Sequence, residues 1–274
     1  MRIVSFNVNS LRVRMHQVQA VIDKHDPLFI GLQETKVQDH EFPEQALRDL
    51  GYEALYMGQK THYGVALLSR LPCAEPQYGF PEDGEDSQKR FIGGRYTIDG
   101  EDWYIYNGYF PQGESRDHPV KFPAKRKFYR DLIAFLRTRH RPGDRVVIMG
   151  DYNIAPDDRD IGIGPDNMKR WLRTGKTSFL PEEREWFDQL LDLGYHDGFR
   201  LVHPDEDALF SWFDYRSRGF ERDPKRGLRI DHLLVSEALK NRVVDAGIDY
   251  DIRAMEKPSD HAPVWIELDL VGGP

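Results

Sequence analysis

The sequence is poor in several things, and each shortage removes a class of protein. Its 274 residues include one cysteine, Cys73. Without a second thiol there is no intrachain disulfide and no cysteine-rich zinc site, which suits a reducing compartment. No stretch approaches the ~20 consecutive apolar residues of a membrane span. The opening MRIVSFNVNS lacks the apolar core of a secretion signal. No repeat, low-complexity tract or linker divides the chain. One soluble, cytoplasmic domain over residues 1–274, with its core in about 1–268, is therefore expected. Positive charge is also in deficit: 38 Lys and Arg stand against 46 Asp and Glu, a net charge of −8. That excludes a nonspecific nucleic-acid coat, which would be basic, but leaves room for local cationic patches.

What is present centres on RVVIMGDYN, Arg145 to Asn153. Val146 to Met149 is an unbroken apolar run suited to a strand buried on both faces. It stops at Gly150, and Asp151 and Asn153 follow. In an extended chain, residues two apart point the same way, which would set a carboxylate beside a carboxamide at the strand mouth. Gly150 would leave space for whatever approaches them. A strand ending in Gly-Asp is also an ordinary turn, so the case depends on other strands ending the same way.

They do. Ile3 to Phe6 delivers Asn7 and Asn9, and Leu28 to Leu32 delivers Glu34. Asp231 interrupts an apolar strand at Ile230 to Val235, a costly position without a partner such as a histidine. Asp260 and His261 occupy the turn PSDHAP before a last strand at Val264 to Leu270. Periodicity predicts helices over Leu11 to His25, Phe42 to Leu50, Phe122 to Leu136 and Pro181 to Leu193. Strands are predicted at Tyr63 to Leu68, Phe210 to Tyr215 and Val244 to Ile252. Phe91 to Ile98 and Trp103 to Tyr109 form a further pair, joined as a hairpin through Asp99-Gly100. Residues 155–180 read as a long irregular loop. Strands that alternate with helices early and crowd together later imply layered α/β sheets with helices outside.

Singly, each polar residue has a plain explanation as a strand end, a turn cap or a packed aromatic. Their recurrence on separate elements suits a hard divalent cation such as Mg2+, which binds through a few carboxylates, waters and substrate phosphates. Cations also gather in three places: Lys121, Lys125, Arg126 and Lys127; Lys169, Arg170, Arg173 and Lys176; and Arg216 through Arg229. Aromatic residues interleave with the last group, and about half of these cations are expected to be solvated surface.

With these residues in view, the chain resembles the exonuclease III type of apurinic/apyrimidinic endonuclease, within the endonuclease/exonuclease/phosphatase superfamily. SFNVNSLR, LQETK, GDYN and SDHAPV carry the superfamily likeness. NGYFPQGESRDHPVKFPAKRKFY, DIGIGPDNMKRWLRTGKTSFLPEEREW, FSWFDYRSRGF and GLRID carry the narrower one, nearly end to end. The resemblance implies a four-layer αββα sandwich of two mixed sheets flanked by helices. It implies a nuclease that uses Mg2+, with Mn2+ as substitute, on double-stranded DNA carrying abasic sites or blocked 3′ ends, as a monomer away from membranes. By the same resemblance, Asn7, Glu34, Asp151, Asn153 and Asp260 form the metal side, with Tyr109, Asp151, Asn153, Asp231 and His261 the catalytic set. Arg90, Gln112, Lys121, Lys176, Trp212 and Arg216 are the DNA contacts so implied. The choice of Asp151 or His261 as base stays open in the sequence. A phosphatase acting on a lipid or inositol phosphate, and a non-catalytic DNA-binding domain, are the competing readings.

Overall fold

In the computed structural model, which describes residues 1–271, the chain builds two six-stranded mixed sheets packed face to face with helices on their outer surfaces. The expected αββα sandwich is the fold. β1 (Arg2–Asn7), α1 (Leu11–His25) and β2 (Phe29–Gln33) form a right-sized parallel crossover, and α2 (Glu44–Asp49), β3 (Glu53–Met57) and β4 (Val65–Ser69) follow. β5 (Glu75–Tyr78), β6 (Phe91–Ile98) and β7 (Glu101–Tyr109) open the second sheet. A second parallel crossover runs from β7 through α3 (Lys121–Arg139) to β8 (Arg145–Asp151). After it come α4 (Pro165–Thr174), α5 (Pro181–Asp192), β9 (Tyr195–Asp197), α6 (Gly198–Val202), β10 (Asp231–Ser236), β11 (Val243–Ile248), α7 (Tyr250–Arg253) and β12 (Val264–Leu268). The strand orders are β11-β12-β1-β2-β4-β3 and β5-β6-β7-β8-β10-β9.

The two-residue side-chain period sorts each strand between layers. In β8, Val147 and Met149 face the other sheet, joining Ile3, Phe29, Leu67 and Ile266, while Val146 and Ile148 face α3 and α5. Val4, Phe6, Ile30 and Leu32 pack under α1 and α2. One polar bridge crosses the sheet interface. Buried Asn107 donates to the Leu32 and Ala66 carbonyls, both at 2.9 Å, and its Oδ1 accepts from Gln33 at 2.7 Å. No helix among the described residues is long and apolar enough to cross a membrane.

Three expectations are corrected. Residues 210–215 are not a strand. Trp212 makes only isolated bridges to Leu228 and His261, because this segment turns its aromatic residues into local clusters. The stretch 155–180 holds α4, begun by Pro165 and closed by Gly175 at φ 73°. It leaves no apolar periodicity in the sequence because only Trp171 of its ten residues is buried. The run 244–252 is the short strand β11 followed by the one-turn helix α7. The short edge strands β3, β5 and β9 lie outside the strands that the sequence pattern predicts.

Candidate active site

Both parallel pairs end at the same rim of the sandwich. Asn7 at the end of β1 lies opposite Gln33 at the end of β2, so Glu34 emerges next to it. Tyr109 at the end of β7 lies opposite Asp151 at the end of β8. β10 runs antiparallel to β8 and begins there, with Asp231 paired to Asp151. The turn entering β12 adds Asp260 and His261, tied in by Phe213 N–H to the Asp260 carbonyl at 2.9 Å and Ala262 N–H to the Ser211 carbonyl at 2.7 Å. Topology alone thus assembles residues up to 254 positions apart in the chain, from Asn7 to His261.

Asn7 joins the sheets chemically. Its Nδ2 donates to Glu34 Oε1 at 3.1 Å and to Asp151 Oδ2 at 2.9 Å, while its Oδ1 accepts from the Asn9 N–H at 3.0 Å. Glu34 sits at φ 51°, an uncommon conformation for a side-chain-bearing residue and one that concentrates at functional sites. His261 Nδ1 donates to Asp231 Oδ2 at 2.8 Å, and its Nε2 lies 3.6 Å from Asp151 Oδ2. The partner required by the burial of Asp231 is therefore His261. Glu34, Asp151 and His261 each present a ligand atom within 4.8 Å of the others. Asp260 accepts from Asn9 Nδ2 at 3.3 Å and from Trp212 Nε1 at 3.2 Å.

Asn153 reaches the cleft by a different route from the one expected. It adopts φ 52°, so the chain turns after Asp151 rather than running on extended. Asp151 Oδ1 accepts the Asn153 N–H at 3.0 Å, and Asn153 Nδ2 donates to the Phe110 carbonyl at 2.8 Å. Gly150 also has another purpose. A Cβ there would lie 2.1 Å from the Gly108 carbonyl oxygen, so its bareness accommodates the neighbouring strand and not a ligand.

Electrostatics separate the acids. Burial, reinforced by Asp231 and Glu34, pushes Asp151 up to about 7 against the opposing pull of His261 and the Asn7 amide. Burial would depress the His261 imidazolium, but the charges of Asp231 and Asp151 outweigh it and hold its pKa well above the usual range. Burial raises the Tyr109 phenol, with Glu34 and Asp151 adding to the effect, so the phenol keeps its proton.

Glu34, Tyr109, Gln112, Asp151, Asn153, Lys176, Trp212, Asp260 and His261 all line one cleft, together with Trp171, Ser178 and Ile230. Gln112 is fastened to Thr177 Oγ1 at 3.2 Å. Lys176 lies 4.0 Å from the Trp171 ring centroid. Beyond Trp212, Lys176 and Trp171 opens a second, cationic bay lined by Arg170, Arg216, Arg222 and Arg226, with Asp214 as its carboxylate. Arg90 stands behind the cleft. Its guanidinium lies between Tyr63 and Tyr109, 4.5 and 4.8 Å from the ring centroids, and it donates to the Tyr109 carbonyl at 3.0 Å. Lys121 lies outside the cleft, exposed and paired with Glu114 at 2.5 Å.

Two cations counted with the surface patches are interior. Lys125 is wholly buried against Glu183. Arg229, 1% exposed, bridges Asp160 at 2.7 Å and Asp197 at 2.6 Å. Among the residues passed over were Trp171 and Ser178, which carry no charge to attract notice. Lys36, whose Nζ donates to Asn9 Oδ1 at 2.8 Å, was passed over too. Its spacing, two residues beyond Glu34, was the available signal.

A model of the endonuclease/exonuclease/phosphatase family matches residues 4–261. The chain belongs to that family. Its similarity to an exodeoxyribonuclease III of Haemophilus influenzae is 56% identity over 98% of this chain and all of the relative. The 3′ phosphatase NExo from Neisseria, solved bound to product DNA hairpin, shares 41% identity with a TM-score of 0.87, over 98% of this chain and 99% of that one. An AP endonuclease from Archaeoglobus fulgidus shares 32% identity with a TM-score of 0.88, over 98% and 100%. Within the family, this chain's rim of strand ends is the candidate active site.

Proposed function

We propose that the protein is a metal-dependent DNA-repair nuclease. It hydrolyses phosphodiesters in double-stranded DNA, cutting 5′ to abasic sites, trimming 3′ ends and removing 3′-phosphates. The supporting observation is the chain of contacts Asp231–His261–Asp151 set beside Glu34 in a cleft walled by Trp212. Residues 1–274, with a core of about 1–268, act as one catalytic domain, as a monomer in the bacterial cytoplasm.

The donor set fits a hard divalent cation, because the Asn7 amide draws two carboxylates together and oxygen ligands predominate. Glu34 is the principal ligand for Mg2+ or Mn2+, with Asp260, Asn7, Asp151 and Asn153 around it. When bound, the ion supplies Lewis-acid stabilisation of charge on the phosphoryl oxygens. Asp151, with a pKa of about 7, takes a proton from the water that attacks phosphorus. The P–O3′ bond breaks and the departing oxygen takes a proton from solvent water, leaving a 3′-hydroxyl and a 5′-phosphate. His261, kept as a cation by Asp231, donates to a phosphoryl oxygen, and Asp231 fixes the orientation of its ring in the manner of a protease triad without a nucleophilic serine. Tyr109 and Asn153 contribute neutral hydrogen-bonding groups at the phosphate. Trp212 meets the abasic sugar, where no base needs accommodation. Gln112, Lys176 and Arg216 hold the strand on either side, Arg90 acts by fixing Tyr109, and Lys121 is an outlying contact.

The test is an end-labelled duplex with a single tetrahydrofuran abasic analogue, incubated with magnesium or with chelator. Incision immediately 5′ to the analogue, abolished by chelator, is the expected result. An intact duplex in both magnesium and manganese would overturn the reading.

A further inference from the structure

We infer that Lys125 is a positioning residue for the active site, one that sets the main chain of Asn153 from inside the protein; this rests on the nuclease reading above. Lys125 lies in the first turns of α3 and has no solvent exposure. An ammonium has three donors, and all three are taken by segments that wall the cleft. It donates to the Asn153 carbonyl at 2.7 Å, to the Gln112 carbonyl at 3.3 Å and to the Glu183 carboxylate. Glu183 in turn accepts the Ser178 and Leu180 N–H groups at 2.8 and 3.0 Å. One buried cation therefore ties together the loop after β7, the turn after β8 and the segment leading into α5.

The three tethers are unequal. The Gln112 carbonyl has a second donor, Thr177 Oγ1 at 2.7 Å. Ser178 and Leu180 are held by Glu183 whether or not the lysine is present. The Asn153 carbonyl has no other donor among the described residues, and Asn153 occupies the uncommon left-handed conformation. The two peptide planes that meet at Asn153 are each fixed, one by Asp151 Oδ1 on its N–H and the other by Lys125 on its carbonyl. Removing the second restraint lets the turn relax, and the Asn153 side chain that lines the cleft relaxes with it. A surface role for this cation is excluded by its burial. A purely structural role predicts that activity follows stability, whereas the unequal tethers predict that the two separate.

The separation is tested with wild type, Glu183→Gln and the double variant Lys125→Met/Glu183→Gln. Each is assayed for kcat and KM on the abasic duplex and for Tm. Glutamine retains an oxygen for the Ser178 and Leu180 N–H groups. The double variant replaces a buried ion pair with neutral groups of similar size, an exchange proteins commonly tolerate. Glu183→Gln is expected to lower Tm while leaving kcat within about threefold, because Lys125 still reaches Asn153. The double variant is expected to recover Tm but lose kcat roughly 10–100-fold, the scale of a small displacement at a catalytic group. Its KM changes less than about threefold, since Gln112 stays fastened. A folded double variant with wild-type kcat overturns the proposal. So does a folded Glu183→Gln protein whose kcat falls about 10-fold or more, a criterion that needs only the single variant to fold. A wild type that leaves the duplex intact overturns the nuclease reading itself and this proposal with it.

Discussion

Asp151 faces three other charged groups, and its protonation is set by their balance. Because its carboxylate is one of the three anions holding the His261 imidazolium, with Asp231 and Asp260 the others, Asp151→Asn is expected to lower the pKa of His261, with Asp231 left as the main restraint. Titration of the imidazole by NMR in the metal-free protein measures this directly, and an unchanged or raised value would contradict the proposed pairing. The same substitution removes the proposed base and is expected to reduce kcat by about 10²–10⁴-fold with KM little changed. Single residues were legible in the sequence to the extent that their role depended on local pattern. Asp231 stood out because an acid inside an apolar strand demands a partner, and His261 is that partner. Lys125 and Arg229 were misread for the converse reason. Clustered cations look like a surface patch until their buried partners are known, and those partners, Glu183, Asp160 and Asp197, lie 58, 69 and 32 residues away.

At the scale of elements, the site is a product of strand polarity. Two parallel pairs bring four strand ends to one rim, and the antiparallel β10 starts where β8 stops. The glycines that make this possible are steric devices. A Cβ at position 150 would meet a main-chain oxygen of β7, which cannot swing aside as a side chain would. Gly150→Ala is therefore expected to destabilise the protein by about 1–3 kcal/mol or more. The destabilisation would appear as a lower urea midpoint at unchanged m-value, together with impaired catalysis from the displaced Asp151. An alanine variant as stable and active as wild type would show that the strands separate more easily than this packing implies. Helices with a regular apolar face, α1, α3 and α5, were readable from periodicity, since the face that packs on a sheet writes its spacing into the sequence. α4 was not, because it shows the core a single indole, and residues 210–215 imitate a strand through aromatic residues that pack locally. The αββα arrangement itself came through resemblance, because alternating strands and helices are compatible with several layer orders.

At the scale of the whole molecule, charge enters twice. Asp197 is nearly buried, and its carboxylate is held at about 2 because Arg229 outweighs the cost of burial. Since the folded pKa is below the unfolded value, this contribution is complete above about pH 4 and is lost as pH falls toward 2. It amounts to about 2 kcal/mol. Urea unfolding between pH 6 and pH 2 should show that loss, and Arg229→Met should remove the Asp197 share of it. The surface speaks differently. A chain of net charge −8 lines the bay beside Trp212 with Arg170, Lys176, Arg216, Arg222 and Arg226, none of them ion-paired to a carboxylate among the described residues. Local attraction of phosphates then coexists with repulsion elsewhere, and binding should weaken linearly in log Kd against log salt. Arg170→Ala and Arg216→Ala are each expected to reduce that slope by about 1. Slopes equal to wild type would remove those arginines from the DNA face.

The order of strands in the first sheet has a consequence in time. β12 lies between β11 and β1, so the first strand to be synthesised waits for one of the last to complete its pairing. Asp260 and His261 arrive with that strand. A nascent chain halted before residue 260 already carries Glu34 and Asp151 but has no imidazole to set beside them, and its first sheet is split. On the site proposed above, cutting waits for the last strand of the sandwich, and a chain halted before residue 260 is expected to leave DNA intact.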